Sequence, residues 1–350
     1  QYHSNTEGLV TNFDIKASGE KWFGGASFTH KSHKDYEDGN GDQVINTRFK
    51  DLNLSSNLGY RSALGNFALY FDYNAPTYGL TNQKSISLIT DDDRSMDFWY
   101  VDLDNKLLAS KNKLFIGEGI LDLNVSYQQN IRKGISDTSS AYSDMVFASM
   151  DLSTISYSSK YSLRKDKSKY TLGFNGAYIE NDADDYYGNN NPMPDTKIND
   201  LGFFVVDEID LSDALTLNAG LRYDIRKMKS YPFESTGLNK YEIDNDYSSL
   251  SGSVGSTYKI NNHLFKLNIA SGFRSPNISE LTQNGIHQAR FERGDIDLKA
   301  QRNYQLDLNY HFHIDKLVLD ISPFYNSVND FIYIVQTEED APLGDGKIWQ

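Results

Sequence analysis

The chain has 350 residues, no cysteine, and 34 basic against 48 acidic side chains, a formal charge of −14. That balance argues against a nucleic-acid partner, whose phosphates must be met by clustered Lys and Arg, and the missing thiols exclude disulfides and thiolate metal sites. No apolar run approaches the roughly 18 residues of a membrane-crossing helix, but a tilted strand of about 9–11 residues can span with only every second side chain facing lipid.

Alternating apolar and polar residues predict about fourteen strands in chain order, near 9–18, 21–32, 50–61, 66–75, 98–110, 119–131, 145–161, 169–181, 198–210, 214–227, 247–259, 263–274, 302–312 and 316–334. The pattern is sharpest where Leu215, Leu217, Ala219, Leu221, Tyr223 and Ile225 interleave with Thr216, Asn218, Gly220, Arg222 and Asp224. Period two means a strand with one apolar and one polar face. The same rhythm recurs in Phe265, Leu267, Ile269 and Phe273, and in Tyr304, Leu306, Leu308, Tyr310 and Phe312.

Connectors fall into two alternating classes. Short ones lie around Ser18 to Glu20, Ser62 to Gly65, Lys111 to Glu118, Arg164 to Ser168, Leu211 to Asp213, Ile260 to Asn262 and His313 to Asp315. Long ones, rich in Asp, Asn, Gly and Ser, lie around His33 to Val44, Pro76 to Asp97, Arg132 to Asp144, Asp182 to Lys197, Met228 to Asp246, Ser275 to Gln301 and from Val335 onward. Tight turns at one end and long loops at the other belong to an up-and-down transmembrane barrel, whereas Greek-key sandwiches do not segregate loop lengths. The expectation is therefore an all-β, antiparallel up-and-down transmembrane β-barrel, one domain over 1–350, with one helical turn near Ile278 to Gln283. The 24 Tyr and 19 Phe suit aromatic girdles at the two membrane interfaces. The chain opens at Gln1 without a leader peptide and its last residues, Lys347 to Gln350, read as the start of another strand, so an excerpt of a longer protein is expected.

Five stretches resemble a known family. Gly272-Phe273-Arg274-Ser275-Pro276-Asn277-Ile278-Ser279-Glu280-Leu281, then Asn284-Gly285-Ile286-His287, Glu292-Arg293-Gly294-Asp295-Ile296-Asp297-Leu298-Lys299, and Pro323-Phe324-Tyr325-Asn326-Ser327-Val328-Asn329-Asp330-Phe331-Ile332 are similar to late strands and loops of TonB-dependent outer-membrane receptors, as is Gly220-Leu221-Arg222-Tyr223-Asp224. Residues 202–335 carry most of the likeness. Lys299-Ala300-Gln301 stands where many relatives have Lys-Pro-Glu. The resemblance implies a 22-stranded barrel of which this chain is the middle portion, lying in the outer membrane of a Gram-negative bacterium and working with a plug and a TonB-type energy-coupling protein. No plug and no TonB-contacting segment is visible.

Outward loops carry function in barrels. The loop from Ser275 to Gln301 is the first ligand candidate, with His287, Arg290, Glu292, Arg293 and Asp295; His287 and Glu292 place an imidazole and a carboxylate at short range for iron or zinc. The plainer alternative is a set of solvated or internally bonded groups. His33 and Tyr36, with His30, Asp35 and Glu37, form a second candidate at the top of the second strand, set against a solvated rim. Asp38-Gly39-Asn40-Gly41-Asp42 lacks the spacing of an EF-hand loop. Arg222, Arg226, Lys266 and Arg274 against Asp224, Asp307 and Asp320 predict a charged lumen wall. No nucleophile elbow, metal-hydrolase helix or phosphate loop is found, so no enzyme and no resident cofactor is expected.

The function expected is import of a scarce nutrient, an iron-siderophore or other metal complex, with outer-membrane lipid and a small-molecule ligand as partners. Two alternatives stay open: a passive 14-stranded channel for hydrophobic solutes, and an outer-membrane adhesin.

Overall fold

The computed structural model describes residues 1–81, 83–89, 94–137, 146–183, 194–231, 242–287, 290–342 and 346–350, with the backbone alone at 83–85, 137, 147, 148, 286 and 287. In chain order the elements are β1 (Tyr2–His3), β2 (Gly8–Ser18), β3 (Trp22–His33), β4 (Phe49–Ser62), β5 (Gly65–Gly79), α1 (Gln83–Leu88), β6 (Phe98–Ile116), β7 (Gly119–Asp137), β8 (Val146–Lys165), β9 (Ser168–Asp182) and β10 (Thr196–Asp210). They continue with β11 (Leu215–Ser230), β12 (Ile243–Ile260), β13 (His263–Arg274), α2 (Ile278–Thr282), β14 (Asn284–His287), β15 (Arg290–Arg293), β16 (Gln301–Ile314), β17 (Leu317–Ile321), β18 (Phe324–Asn329), β19 (Gln336–Asp340) and β20 (Lys347–Trp349).

Strands β1 to β13, then β16 and β17, pair with their chain neighbours in one antiparallel sheet, and β18 continues along β16 beyond β17. Taking β17 with β18 as one broken stave gives fourteen passes from β2 onward, matching the number read from alternation. Among the described residues the two ends of this path do not pair with each other.

Side-chain alternation fixes which face looks where. Phe174, Phe203 and Tyr223 stand opposite one another across β9, β10 and β11, and Leu172, Val205 and Leu221 form the next row; all six are exposed. Ile269 and Leu306 pair across β13 and β16, with Leu267 and Leu308 beside them, again exposed. Among the described residues only nine side chains other than proline are both apolar and buried. A water-soluble sheet would hide such rows, since large contiguous apolar surface left in water drives association. Here acyl chains are their solvent. The opposite face carries Asn53, Ser55, Asp72, Asn124, Ser156, Asn175, Asp200, Arg222 and Asp307, and a concavity lined from β5 through to β10 shows the sheet curling around this polar side.

Three differences from the predicted strands have physical causes. The connector expected at Lys111 to Glu118 contracts to a two-residue turn, because the β6–β7 ladder continues through Phe115 with Ile120 to Ile116 with Gly119, and Gly117 closes the turn at φ 59°. The strand expected over 316–334 breaks at Ser322 and Pro323, where proline has no N–H to donate, and ends at Asn329 before the left-handed Asp330. Residues 331–334 leave the wall. Third, Lys347–Trp349 is a strand but joins a small loop sheet of order β14-β15-β20-β19, running parallel to β15, rather than extending the barrel wall.

The strand ends that carry the long connectors lie together at one end. There Met228, Ile243, Ile278 and Leu281 form a buried apolar cluster, with Ile198 and Leu298 packed against it. It seats α2 on the rim of β10, β11 and β12. Burying Ile278 and Leu281 contributes about 1.5–3 kcal/mol each.

Candidate functional site

The loop after β13 is built around one short helix. Asn277 caps α2: its Oδ1 accepts from the Glu280 amide at 2.8 Å, and Glu280 Oε2 accepts from the Asn277 amide at 2.8 Å. Both terminal guanidinium nitrogens of Arg274, Nη1 and Nη2, donate to the same carboxylate, at 2.9 and 2.8 Å. Pro276 before the cap and the Asn-x-x-Glu spacing write this capping box into the sequence. The chain then returns against the helix: the amides of Gly294 and Asp295 donate to the carbonyls of Gln283 and Glu280 at 2.6 and 2.9 Å. At Gly294 a β-carbon would lie 2.6 Å from the Leu281 carbonyl carbon, so no other residue permits this approach without displacement.

β15 is held from its other side by the segment after β18. Arg293 donates in a fork to Glu339 at 2.8 and 3.0 Å and from Nε to Gln350 Oε1 at 2.9 Å. The Arg293 hydrogen bonds and charge hold the Glu339 carboxyl below its ordinary range. Arg290 donates to Glu292 at 2.5 Å, and its guanidinium lies 4.9 Å from the Trp349 ring centre.

Between α2, β15 and residues 331–334 lies a cavity of about 580 Å³. Glu280, Arg290, Glu292, Arg293 and Asp295 line its polar side; Phe331, Ile332, Tyr333 and Ile334 line the other. Phe331 and Tyr333 stack with centroids 5.9 Å apart and remain largely exposed. The size suits a small ligand, for which pockets of about 300–1,000 Å³ are usual.

Below it the lumen wall continues the polar path. A second cavity, about 310 Å³, is bounded by Arg274 and Ser275 above and Asn175, Asp200, Arg222 and Arg226 below. Arg226 makes a fork to Asp200 at 2.6 Å on both oxygens and reaches Ser275 Oγ at 3.1 Å. Arg222 bonds Asp224 from Nε at 2.8 Å and Asn175 from Nη1 at 2.8 Å. Asn175 and Asp200 also line the broader lumen concavity of about 580 Å³.

The residues predicted from sequence divide accordingly. Arg290, Glu292, Arg293 and Asp295 come together on one cavity wall. The backbone of His287 pairs with Arg290, and its imidazole lies outside the described residues. His33 is buried, stacked 4.3 Å from Phe49 and bonded through Nδ1 to Thr6 Oγ1 at 2.7 Å, so its ring packs the wall top. Tyr36 stays exposed and its amide donates to Thr47 Oγ1. Among the described residues no three His, Asp or Glu side chains gather to hold a metal ion.

A family model described as TonB dependent receptor-like, beta-barrel, matches residues 3–345. The chain belongs to the TonB-dependent receptors. Solved receptor structures share the fold: the Serratia marcescens hemophore receptor HasR, in complex with its hemophore and heme, aligns over 99% of this chain and 57% of its own at a TM-score of 0.77 and 12% identity. The copper transporter OprC aligns over 94% and 54% at 0.72 and 17% identity. The siderophore receptor PirA from Pseudomonas aeruginosa aligns over 98% and 56% at 0.69 and 14% identity. The chain thus spans little more than half the length of these structures. No curated protein sequence matches it.

Two groups of this receptor barrel escaped sequence reading. Asp200 and Asn175 sit on strands remote in sequence from their arginines, and only sheet register aligns them. Phe331 to Ile334 read as the end of a strand over 316–334, although Phe331-Ile332-Tyr333-Ile334 is an unbroken apolar run; that run and Pro323 were the warnings available in the sequence.

Proposed function

We propose that this receptor wall belongs to an outer-membrane importer of a scarce metal complex, an iron-siderophore or a comparable chelate, with the loop-end cavity as its capture site. The observation carrying this reading is the cavity between α2, β15 and residues 331–334, which joins charged and aromatic side chains at the mouth of a polar lumen. Arg290, Glu292, Arg293 and Asp295 orient the ligand by hydrogen bonds while Phe331 and Tyr333 cover its apolar parts. Transfer inward then follows the Arg226–Asp200 and Arg222–Asp224 pairs, and release is driven by a TonB-type partner acting on a plug. The apolar outer belt is solvated by the lipid of a Gram-negative outer membrane.

Growth with and without the gene on limiting iron, and separately on limiting zinc, tests this reading. Uptake should fail when residues 284–298 are deleted from the full-length receptor although the barrel still assembles. Normal growth on both limiting metals without the gene would refute metal import.

A further inference from the structure

We infer that the capture cavity selects a ligand of no net negative charge, a neutral or cationic chelate rather than a polyanionic one; this rests on the import reading above. Strong recognition of an anion requires guanidinium or ammonium donors free to form charge-assisted bonds. Around this cavity the guanidiniums already hold carboxylates: Arg274 is forked to Glu280, Arg293 is forked to Glu339, and Arg290 bonds Glu292. An anionic ligand would have to evict a carboxylate of this same chain, which then stands beside it as a like charge.

What remains after these pairings is negative. Among the described residues Asp295 lines the cavity with no arginine on it; its Oδ1 accepts from the Asp297 amide at 2.9 Å. Facing it, Phe331 and Tyr333 offer stacked ring faces, which attract cations and reject anions. Surplus carboxylate on one wall and π faces on the other complement an ammonium-bearing or neutral ligand.

The test uses the full-length receptor in outer-membrane vesicles and two iron-loaded probes, a linear tris-hydroxamate bearing one ammonium, net +1, and a tris-catecholate, net −3. Binding is followed by quenching of Trp349, which lies beside Arg290. The cationic complex should bind at least about tenfold more tightly, the effect of one uncompensated charge near a partly desolvated ligand. Asp295→Asn keeps an acceptor for the Asp297 amide and should erase most of that preference, whereas Glu338→Gln, outside the cavity lining, should not. A more tightly bound trianion, neither probe bound, or an unchanged preference in D295N overturns the charge assignment. The import reading falls only if growth on limiting metal is also independent of the gene.

Discussion

Asp35 and Arg48 lock the first long loop to the barrel, and breaking that lock has a size that the geometry sets. Their side chains are 0% and 2% exposed. Asp35 Oδ1 accepts from the amides of Thr47 and Arg48 at 2.8 and 2.7 Å and from Arg48 Nε at 3.2 Å, while Oδ2 accepts from Arg48 Nη2 at 2.8 Å. Asn46 extends the lock, its side-chain amide donating to the carbonyls of Leu80, Phe98 and Trp99. Asp35→Asn removes the counter-charge and turns two donors toward each other, and removing one partner of a buried pair costs about 3–5 kcal/mol. The staves keep their own ladder bonds, so the cost falls on opening of residues 34–48. Hydrogen exchange at the Thr47 and Arg48 amides should accelerate more than about a hundredfold, the factor for 3 kcal/mol, with unchanged exchange in β10 and β11. Arg48→Met should accelerate it less, because Asp35 keeps its two amides and can take up a proton. Acceleration below about fivefold in D35N, or R48M exceeding D35N, would refute the argument.

Other consequences follow from the same structure. Burial raises the Asp35 carboxyl, but the Arg48 hydrogen bonds, the amides and the guanidinium charge outweigh it and leave it below the usual carboxylate range. The folded value is therefore lower than the unfolded one, so its stabilisation is complete above about pH 4 and disappears as pH falls through the folded value. Protease resistance of residues 34–48 should drop in that acid window for the native protein and not further for D35N. Gly294→Val would place side-chain atoms against the Leu281 and Glu280 backbone; overpacking of about 1–3 kcal/mol should lift the return segment off α2 and abolish probe binding while heat-modifiable migration of the folded barrel on gels persists. Asn277→Ala removes the cap at a cost of about 1 kcal/mol, expected as faster exchange at the Glu280 amide. Leu221→Arg, on the lipid face, should cost about 2–4 kcal/mol near mid-bilayer and lower the folded fraction in membranes, whereas Ser253→Lys on the lumen face should leave it unchanged.

The barrel was legible because period-two alternation is local. Leu217, Leu221 and Tyr223 face lipid by virtue of spacing alone, and the alternating loop lengths give up-and-down order without any long-range contact. The capping box at Asn277 and Glu280 was equally local, and the helical turn expected near Ile278 appears as α2. Loop residues Arg290, Glu292, Arg293 and Asp295 could be picked out by type and by the length of their loop, but not their partners.

Partnership is decided by register and by chain segments that meet only after folding. Arg293 finds Glu339 and Gln350, 46 and 57 residues away, because β20 runs parallel to β15. His33 offered the same chemistry in sequence as a metal-contacting imidazole, yet Thr6 and Phe49 enclose it. Residues 331–334 read as the end of a stave and become a cavity wall because the β16–β18 ladder stops at Asn329 and the left-handed Asp330 turns the chain out of it. Side-chain period is a property of neighbouring residues and survives in the sequence; charge compensation across a cavity depends on which distant carboxylate each guanidinium meets, and only the folded sheet settles that.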